Sequence, residues 1–179
     1  MLGVSRPTAR QALIRLEQEG LVVIQPNRGA SVRSMTVPEA LRTLRIREVL
    51  DGLAAALAAE LATDEELAEM SAIVEEMEQH VERNEMLDYS RLNGRLHSAI
   101  LRAARDETLY RMLASLNHAL VRYQYRTILV PGRQSQSLSE HKALVRAIKA
   151  RDAAAAETAM RTHVSHVRQT LSQAAQLLA

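Results

Sequence analysis

Three histidines, His97, His141 and His163, are the residues of this sequence whose types and spacing could form a shared metal-binding site. Each lies among apolar residues at helical spacing, on a separate predicted helix. A lone histidine in that setting is more often a hydrogen-bonded core residue than a ligand, but three of them require a joint explanation. Neutral imidazoles that converge inside a helical bundle form a nitrogen site suited to Zn, Ni or a similar ion. We therefore expect a metal site.

Asn93 offers an oxygen donor beside this group. Asn93 and His97 are four residues apart, so both side chains project from the same side of a helix. The sequence has no cysteine, which excludes disulfides and thiolate ligands and leaves nitrogen and oxygen to hold a metal. A neutral amide is a poorer ligand for a hard cation than a carboxylate, so a pocket without metal is an open alternative. Of the other histidines, we expect His166 beside the site or on the surface, and His80 and His118 in structural or solvent-facing positions.

The elements that must position these residues are helices. Apolar residues recur at helical spacing after Pro38, and the composition has only six Gly and four Pro and no Phe or Trp, which favours helices. Turn and capping residues divide this region into six predicted antiparallel helices that form a bundle. These span about 38–61, 64–83, 86–104, 107–129, 135–150 and 152–177.

The first 34 residues follow a different pattern. Residues 5–19 predict a helix with Ser5 as its N-cap and Pro7 in its first turn. The segment after Gly20 predicts two short strands joined by a tight loop that contains Asn27, Arg28 and Gly29. A helix followed by a β-hairpin is the order of elements in a winged helix.

Charge is also unevenly distributed. Residues 1–34 contain five Arg and two Glu, a net charge of +3, whereas the remaining 145 residues carry −1. A local basic excess of this kind supports contact with a polyanion, although a solvated face would look similar. Arginine and other donors in the first turns of a helix can reach base edges and phosphates in the major groove. The candidate DNA-binding residues are Ser5, Arg6, Thr8, Arg10 and Gln11 on the helix and Arg28 and Gly29 in the hairpin.

The segment VSRPTARQALIRLEQEGLVVIQPNRGASV closely resembles the second half of the winged helix of the GntR superfamily. In that family Ser-Arg-x-x-x-Arg-x-Ala-Leu-x-x-Leu leads through Gly-Leu into an Asn-x-Gly wing. The family domain normally begins with a further helix and most of a second. The resemblance therefore implies either that the printed sequence is truncated, which we favour, or that the protein has lost autonomous DNA binding.

Residues 38–178 resemble the FCD ligand-binding domain of FadR-type GntR regulators. The similar segments are IREVLDGLAAALAAE, NGRLHSAI and SEHKALVRAIKARDAAAAETAMRTHV, and six helices rather than seven suggest the shorter VanR-like branch. In that family an Asp and three His bind a divalent metal, and the resemblance places Asn93, His97, His141 and His163 at the matching positions. Asn93 departs from the family's Asp, which implies weaker metal binding.

Family members commonly sense organic acids, which the metal and nearby arginines hold by the carboxylate. Arg47 matches the family's Arg in the opening helix, and Arg122 or Arg126 could be a second anchor, because the guanidinium binds carboxylates in a bidentate manner. For any single arginine, a surface salt bridge is the competing interpretation.

The sequence thus predicts a mainly α protein, with a partial winged helix over 1–34 and an FCD-like effector-binding and dimerisation domain over 35–179. We expect a cytoplasmic homodimer that binds operator DNA and a small organic carboxylate, and no membrane partner, because no apolar stretch is long enough to span a bilayer. Two alternatives are a stand-alone sensor without DNA binding and a His-based metalloenzyme. We expect no enzyme, because no His-Glu-x-x-His, nucleophile or phosphate-loop motif occurs.

Overall fold

A computed structural model describes residues 5–18, 22–25, 28–32, 35–128 and 130–176, and for residues 18, 32, 118–119, 121–126 and 128 it describes the backbone alone. The described chain is mainly helical, with one small antiparallel sheet. Its elements, in order, are α1 (Arg6–Gln18), β1 (Val22–Gln25), β2 (Gly29–Val32), α2 (Val37–Leu61), α3 (Asp64–Glu82), α4 (Met86–Ala103), α5 (Glu107–Ile128), α6 (Arg133–Lys149) and α7 (Ala153–Gln176). The predicted fold class is confirmed, and each predicted bundle helix begins and ends within two residues of the observed one.

The β-hairpin pairs Val22 with Val32 and Gln25 with Gly29. Gly29 has a φ of +85°, in the left-handed region that glycine adopts at no steric cost, and it closes the tight turn at the start of β2. The backbone N–H of Ile24 donates to a carboxylate oxygen of Glu17 on α1 at 2.9 Å, which ties the hairpin to that helix.

Capping residues fix where the bundle helices begin. Thr36 and Thr63 are the N-caps of α2 and α3, and each forms a capping box with the Glu three residues later. In each box the threonine side chain accepts from the backbone N–H of the glutamate, whose carboxylate accepts from the threonine N–H. These local bonds satisfy backbone donors that have no partner within the helix.

The core of the bundle forms around α2 and α7. Short side chains on α2 let α7 approach closely: Ala55, Ala58 and Ala59 are fully buried. A Cβ added at Gly52 would lie 2.6 Å from the Cγ of Arg161 on α7. Because Phe and Trp are absent, the larger fully buried side chains are aliphatic or methionine apart from one tyrosine, namely Met70, Met77, Tyr89, Leu92, Leu96, Ile100, Leu113, Leu120, Leu144, Ile148, Met160 and Leu171. None of the described helices has an apolar stretch long enough to cross a membrane.

Candidate metal and effector site

Three helices bring the three predicted histidines together inside the bundle. His97 lies on α4, His141 on α6 and His163 on α7. Their ring centroids are 5.5 Å apart for His97 and His141, 5.3 Å for His97 and His163, and 4.4 Å for His141 and His163. One ring nitrogen from each histidine lies within 4.8 Å of the other two. We call these residues the histidine cluster.

Several nitrogens of the histidine cluster have no protein partner. Both ring nitrogens of His141 and the Nδ1 atom of His97 are buried and form no hydrogen bond with the protein. Buried polar atoms in folded proteins nearly always have a partner, so these atoms need an explanation. Burial lowers the pKa of His97 and His141 well below the usual range, so both rings are neutral at pH 7. Neutral imidazoles with open lone pairs fit a divalent cation such as Zn or Ni.

Glu140 orients the third histidine of the cluster. The Nδ1 atom of His163 lies 2.7 Å from Oε2 of Glu140, and Nδ1 of His166 lies 2.7 Å from Oε1 of the same carboxylate. A carboxylate on Nδ1 favours the tautomer whose proton is on that atom, which leaves Nε2 with its lone pair free to bind. His166 therefore lies beside the cluster and contacts it through Glu140.

A buried arginine completes this network. The two terminal guanidinium nitrogens of Arg133 donate to the two carboxylate oxygens of Glu140 at 3.0 and 2.9 Å, and the Arg133 side chain is 4% exposed. Burial works against ionisation of Glu140, but the hydrogen bonds from His163 and Arg133 outweigh it and lower the pKa of Glu140 to about 2. Glu140 is consequently a carboxylate at every physiological pH.

A cavity of about 280 Å³ adjoins the histidine cluster. Its wall includes His97 and His163 together with Asn93, which lies one turn before His97 on α4. Arg47 of α2 lines the same cavity. The structure thus brings four of the residues singled out from the sequence to one cavity, with His141 behind them in the cluster.

Arg47 forms a buried ion pair at the cavity wall. Its Nε and one terminal nitrogen each lie 2.9 Å from Oδ2 of Asp51, one helical turn later, and both side chains are 8% exposed. Burial raises the pKa of Asp51, and the neighbouring Arg47 opposes that rise. The pair therefore brings a guanidinium and the carboxylate that compensates it to the wall of the same cavity.

The remaining arginines and histidines considered in the sequence analysis are not among the described residues that line this cavity. The side chains of Arg122, Arg126 and His118 are outside the described residues. His80 lies on α3, where its Nδ1 atom is 2.6 Å from a carboxylate oxygen of Glu85. With Glu85 and Asp88 it forms a second group that could hold a metal ion.

The candidate DNA-binding residues lie together at the start of α1 and in the hairpin. The Ser5 and Thr8 hydroxyls are 2.8 Å apart, and the Thr8 N–H donates to the Ser5 hydroxyl at 3.3 Å, so Ser5 acts as the expected cap. All five helix residues of this set are exposed, and so are Arg28 and Gly29. These five residues are Ser5, the N-cap, and Arg6, Thr8, Arg10 and Gln11 in the first turns of α1.

Sequence reasoning did not find Glu140, Arg133 or Asp51 as site residues. Glu140 is adjacent to His141, and neighbours on a helix point about 100° apart, so nothing in the sequence connects Glu140 with a histidine 23 positions later. Arg133 is the first residue of α6, ahead of the predicted start of that helix. Asp51 had a usable signal, because it lies four residues after Arg47 on one helix face.

Comparisons with known proteins agree with this architecture. The model of the FCD domain matches residues 42–166, and the model of bacterial regulatory proteins of the gntR family matches residues 1–32. The HTH-type transcriptional repressor RspR of Escherichia coli K12 is 24% identical over 170 residues, which is 95% of this chain and 75% of RspR. The transcriptional regulator YdhC of Bacillus subtilis is 27% identical, covering 92% of this chain and 74% of YdhC.

A solved structure shares the fold. Escherichia coli McbR/YncC superposes with a TM-score of 0.82 at 24% identity, over 96% of this chain and 82% of that one. At this level of identity the superposition supports the fold alone. The FCD match covers more than half of the chain, and the gntR match lies before it in the sequence. The chain is therefore a GntR-family transcriptional regulator with an FCD domain.

Proposed function

We propose that this regulator binds a divalent metal, Zn or Ni, in the histidine cluster, and a small organic carboxylate in the adjoining cavity, and that the carboxylate alters its binding to operator DNA. In this proposal residues 1–34 contact DNA and residues 35–179 bind the effector and form a homodimer. His97, His141, His163 and Asn93 hold the metal.

One observation carries the proposal: both nitrogens of His141 are buried without a hydrogen-bond partner, within reach of two other imidazoles. A histidine that served only to pack the core would satisfy at least one nitrogen, because an unsatisfied buried polar group costs about 1–3 kcal/mol. A cation that accepts one lone pair from each of three neutral rings removes this cost for one nitrogen of each ring. The Glu140 carboxylate on His163 is the outer partner that metal-binding histidines usually have.

The effector would lie between the cluster and Arg47. A bound cation supplies positive charge that attracts a carboxylate. Arg47 offers guanidinium N–H donors on the wall of the same cavity, where Asp51 compensates its charge, and Asn93 offers a neutral oxygen or amide donor. An anion therefore fits this cavity better than a neutral or cationic molecule of the same size.

The DNA-binding part of the proposal rests on α1 and the hairpin. The exposed donors on the first turns of α1 suit base edges and phosphates, and Arg28 in the hairpin turn suits the flanking backbone. A single short helix contacts few base pairs, so two copies that bind adjacent half-sites would supply specificity. The effector would act by binding one arrangement of the two DNA-binding segments more tightly than another.

Operator binding in the presence of carboxylates tests the whole proposal. Fluorescence anisotropy would measure affinity for a DNA sequence selected from a random library, with and without a panel of small organic acids. We expect an acid in the panel to change the operator affinity of the metal-loaded protein by about 5–150-fold, a typical coupling between two sites. His141→Ala should bind the operator but not respond to the acid. An equal response in the wild type and in His141→Ala would contradict the assigned metal and effector site.

A further inference from the structure

Three side chains with metal-ligating atoms meet at the turn between α3 and α4. His80 lies in the last turn of α3, Glu85 is the N-cap of α4, and Asp88 is in the first turn of α4. One ligand atom from each of them lies within 4.8 Å of the other two. Asp88 and His97 are nine residues apart on α4, about 14 Å along the helix axis, so this second group is separate from the histidine cluster.

Helix capping does not account for the residue at the start of α4. Thr36 and Thr63 cap α2 and α3 through their side chains, and threonine is one of the preferred N-cap residues, whereas glutamate is not. Glu85 occupies the same position of α4, but within the described residues its side chain forms no capping hydrogen bond. Its Oε2 atom lies 2.6 Å from Nδ1 of His80. The carboxylate is therefore directed at the imidazole and not at the start of its own helix.

A hydrogen bond between His80 and Glu85 does not account for Asp88, the third member of the second group. The Asp88 carboxylate pairs with Arg91 at 3.0 Å, but these side chains are 45% and 68% exposed, and exposed pairs of this kind contribute little. Asp88 is thus available to a stronger partner. Two carboxylates and one imidazole supply two oxygen ligands and one nitrogen ligand, and the two negative charges balance a divalent cation.

The His80 ring is placed to bind a cation through Nδ1. Its side chain is only 16% exposed, which limits the orientations of the ring. On α3, Oε1 of Glu76 lies one turn earlier and 3.9 Å from Nε2, at the other side of the ring. A cation at Nδ1 requires the neutral ring to carry its proton on Nε2, the atom near Glu76. A carboxylate beside the second ring nitrogen is the usual outer partner of a metal-binding histidine.

We propose that His80, Glu85 and Asp88 form a second metal site, which binds Zn²⁺ or an ion of similar ligand preference and exchanges it readily. A tetrahedral Zn²⁺ lies about 2.0–2.2 Å from its nitrogen and oxygen ligands, which are then about 3.4 Å apart. Small movements of the two exposed carboxylates are sufficient to reach this geometry. With three protein ligands at the surface, the site is weaker than the buried histidine cluster, so purification empties it and added metal fills it.

A metal titration in two backgrounds tests the second site. Equilibrium dialysis against Zn²⁺, with bound metal measured by plasma mass spectrometry, would compare the wild type with His80→Ala. The same comparison would be made between His141→Ala and the variant that carries both changes. We expect His80→Ala to remove one weakly bound Zn²⁺ per chain in both backgrounds. The result in His141→Ala does not depend on whether the histidine cluster binds metal, so the two sites can fail independently.

Asp88 distinguishes a metal site from a hydrogen bond between His80 and Glu85 alone. Asp88→Asn keeps that hydrogen bond but should weaken Zn²⁺ binding at the second site at least about tenfold, since even an outer partner of a metal ligand is usually worth about 10–100-fold. Glu82→Gln is the matched control, because Glu82 is an exposed carboxylate in the last turn of α3 outside the second group. We expect Glu82→Gln to bind Zn²⁺ as the wild type does.

Two results would overturn the inference. The first is an equal number and affinity of bound Zn²⁺ ions with and without His80 in both backgrounds. The second is an Asp88→Asn variant that binds Zn²⁺ as tightly as Glu82→Gln, because Asp88 would then not be a ligand. Circular dichroism of each variant would establish that a loss of metal does not come from a loss of helix.

Discussion

The Nδ1 atom of His163 lies 2.7 Å from Oε2 of Glu140, which reaches it from the neighbouring helix α6. Because Glu140 also accepts two hydrogen bonds from the buried Arg133, its carboxylate is held in place and charged. One carboxylate thereby sets which ring nitrogen of His163 faces the histidine cluster.

We predict that Glu140→Gln weakens metal binding by about 10–100-fold, the usual cost of losing an outer partner of a metal-binding histidine. Competition with a chromophoric chelator would measure the dissociation constant. Glu157→Gln is the control, since Glu157 lies on the surface of α7, where it pairs with Arg161. Equal affinities for Glu140→Gln and Glu157→Gln would show that His163 does not depend on Glu140.

A second prediction concerns the buried pair of Arg47 and Asp51. Arg47→Leu should lower the free energy of unfolding by about 3–5 kcal/mol, because it leaves a buried carboxylate without its partner. Replacing both residues by Leu should restore much of that loss. Arg91→Ala, which breaks the exposed pair with Asp88, should cost no more than about 1 kcal/mol. Urea unfolding would measure the free energy of unfolding of all three variants. A double variant no more stable than Arg47→Leu would contradict the explanation that Arg47→Leu leaves the buried Asp51 carboxylate uncompensated.

A third prediction follows from the capping box of α3. Hydrogen bonds with the backbone N–H of Thr63 and with Arg105 lower the pKa of Glu66 in the folded protein, although partial burial opposes the shift. A lowered folded pKa stabilises the protein above the unfolded pKa, and that stability is lost as pH falls through the folded pKa.

Glu66→Gln should therefore destabilise the protein at pH 7 and flatten the decline in melting temperature between about pH 5 and the folded pKa. Glu75→Gln, elsewhere on α3, serves as the control. Parallel melting curves for the wild type and Glu66→Gln over that range would argue against the role of the cap.

The exposed donors of α1 give a fourth prediction. If Arg10 contacts base edges, Arg10→Ala should reduce specific operator affinity by about 1–3 kcal/mol and relax the sequence preference at one position. Arg161→Ala, on the surface of α7, should leave DNA binding unchanged. The sequence preference would be measured on a library of single-base operator variants. If Arg10→Ala keeps the wild-type preference, Arg10 does not contact base edges.

Much of the fold is predictable because local signals mark each helix end. Thr63 caps α3 through a side chain bonded within one turn, and Asn84 ends the same helix with a φ of +57°, a conformation that asparagine tolerates. Signals of this kind are contained in a few consecutive residues, so periodicity and turn chemistry are sufficient to place them.

The candidate site was only partly predictable from the sequence, because some of its contacts join residues on different helices. The three histidines stand out because each interrupts an apolar face. Glu140 carries no such signal, since its contact with His163 depends on how α6 packs against α7. Arg133 pairs with Glu140 two turns later on the same helix, but that spacing alone does not connect either residue with the histidines. The cavity wall likewise combines Tyr89, Asn117 and Gln134 from three helices, and only the packing brings these residues to one cavity.

Metal content tests the central claim most directly. Plasma mass spectrometry of the purified protein should find about one Zn or Ni per chain, which His141→Ala loses and His80→Ala keeps, while circular dichroism shows that both variants retain their helices. The His80 variant controls for the second group, formed with Glu85 and Asp88. Stoichiometric metal in His141→Ala, or wild-type protein that takes up neither Zn nor Ni when they are added, would contradict the histidine cluster as a metal site.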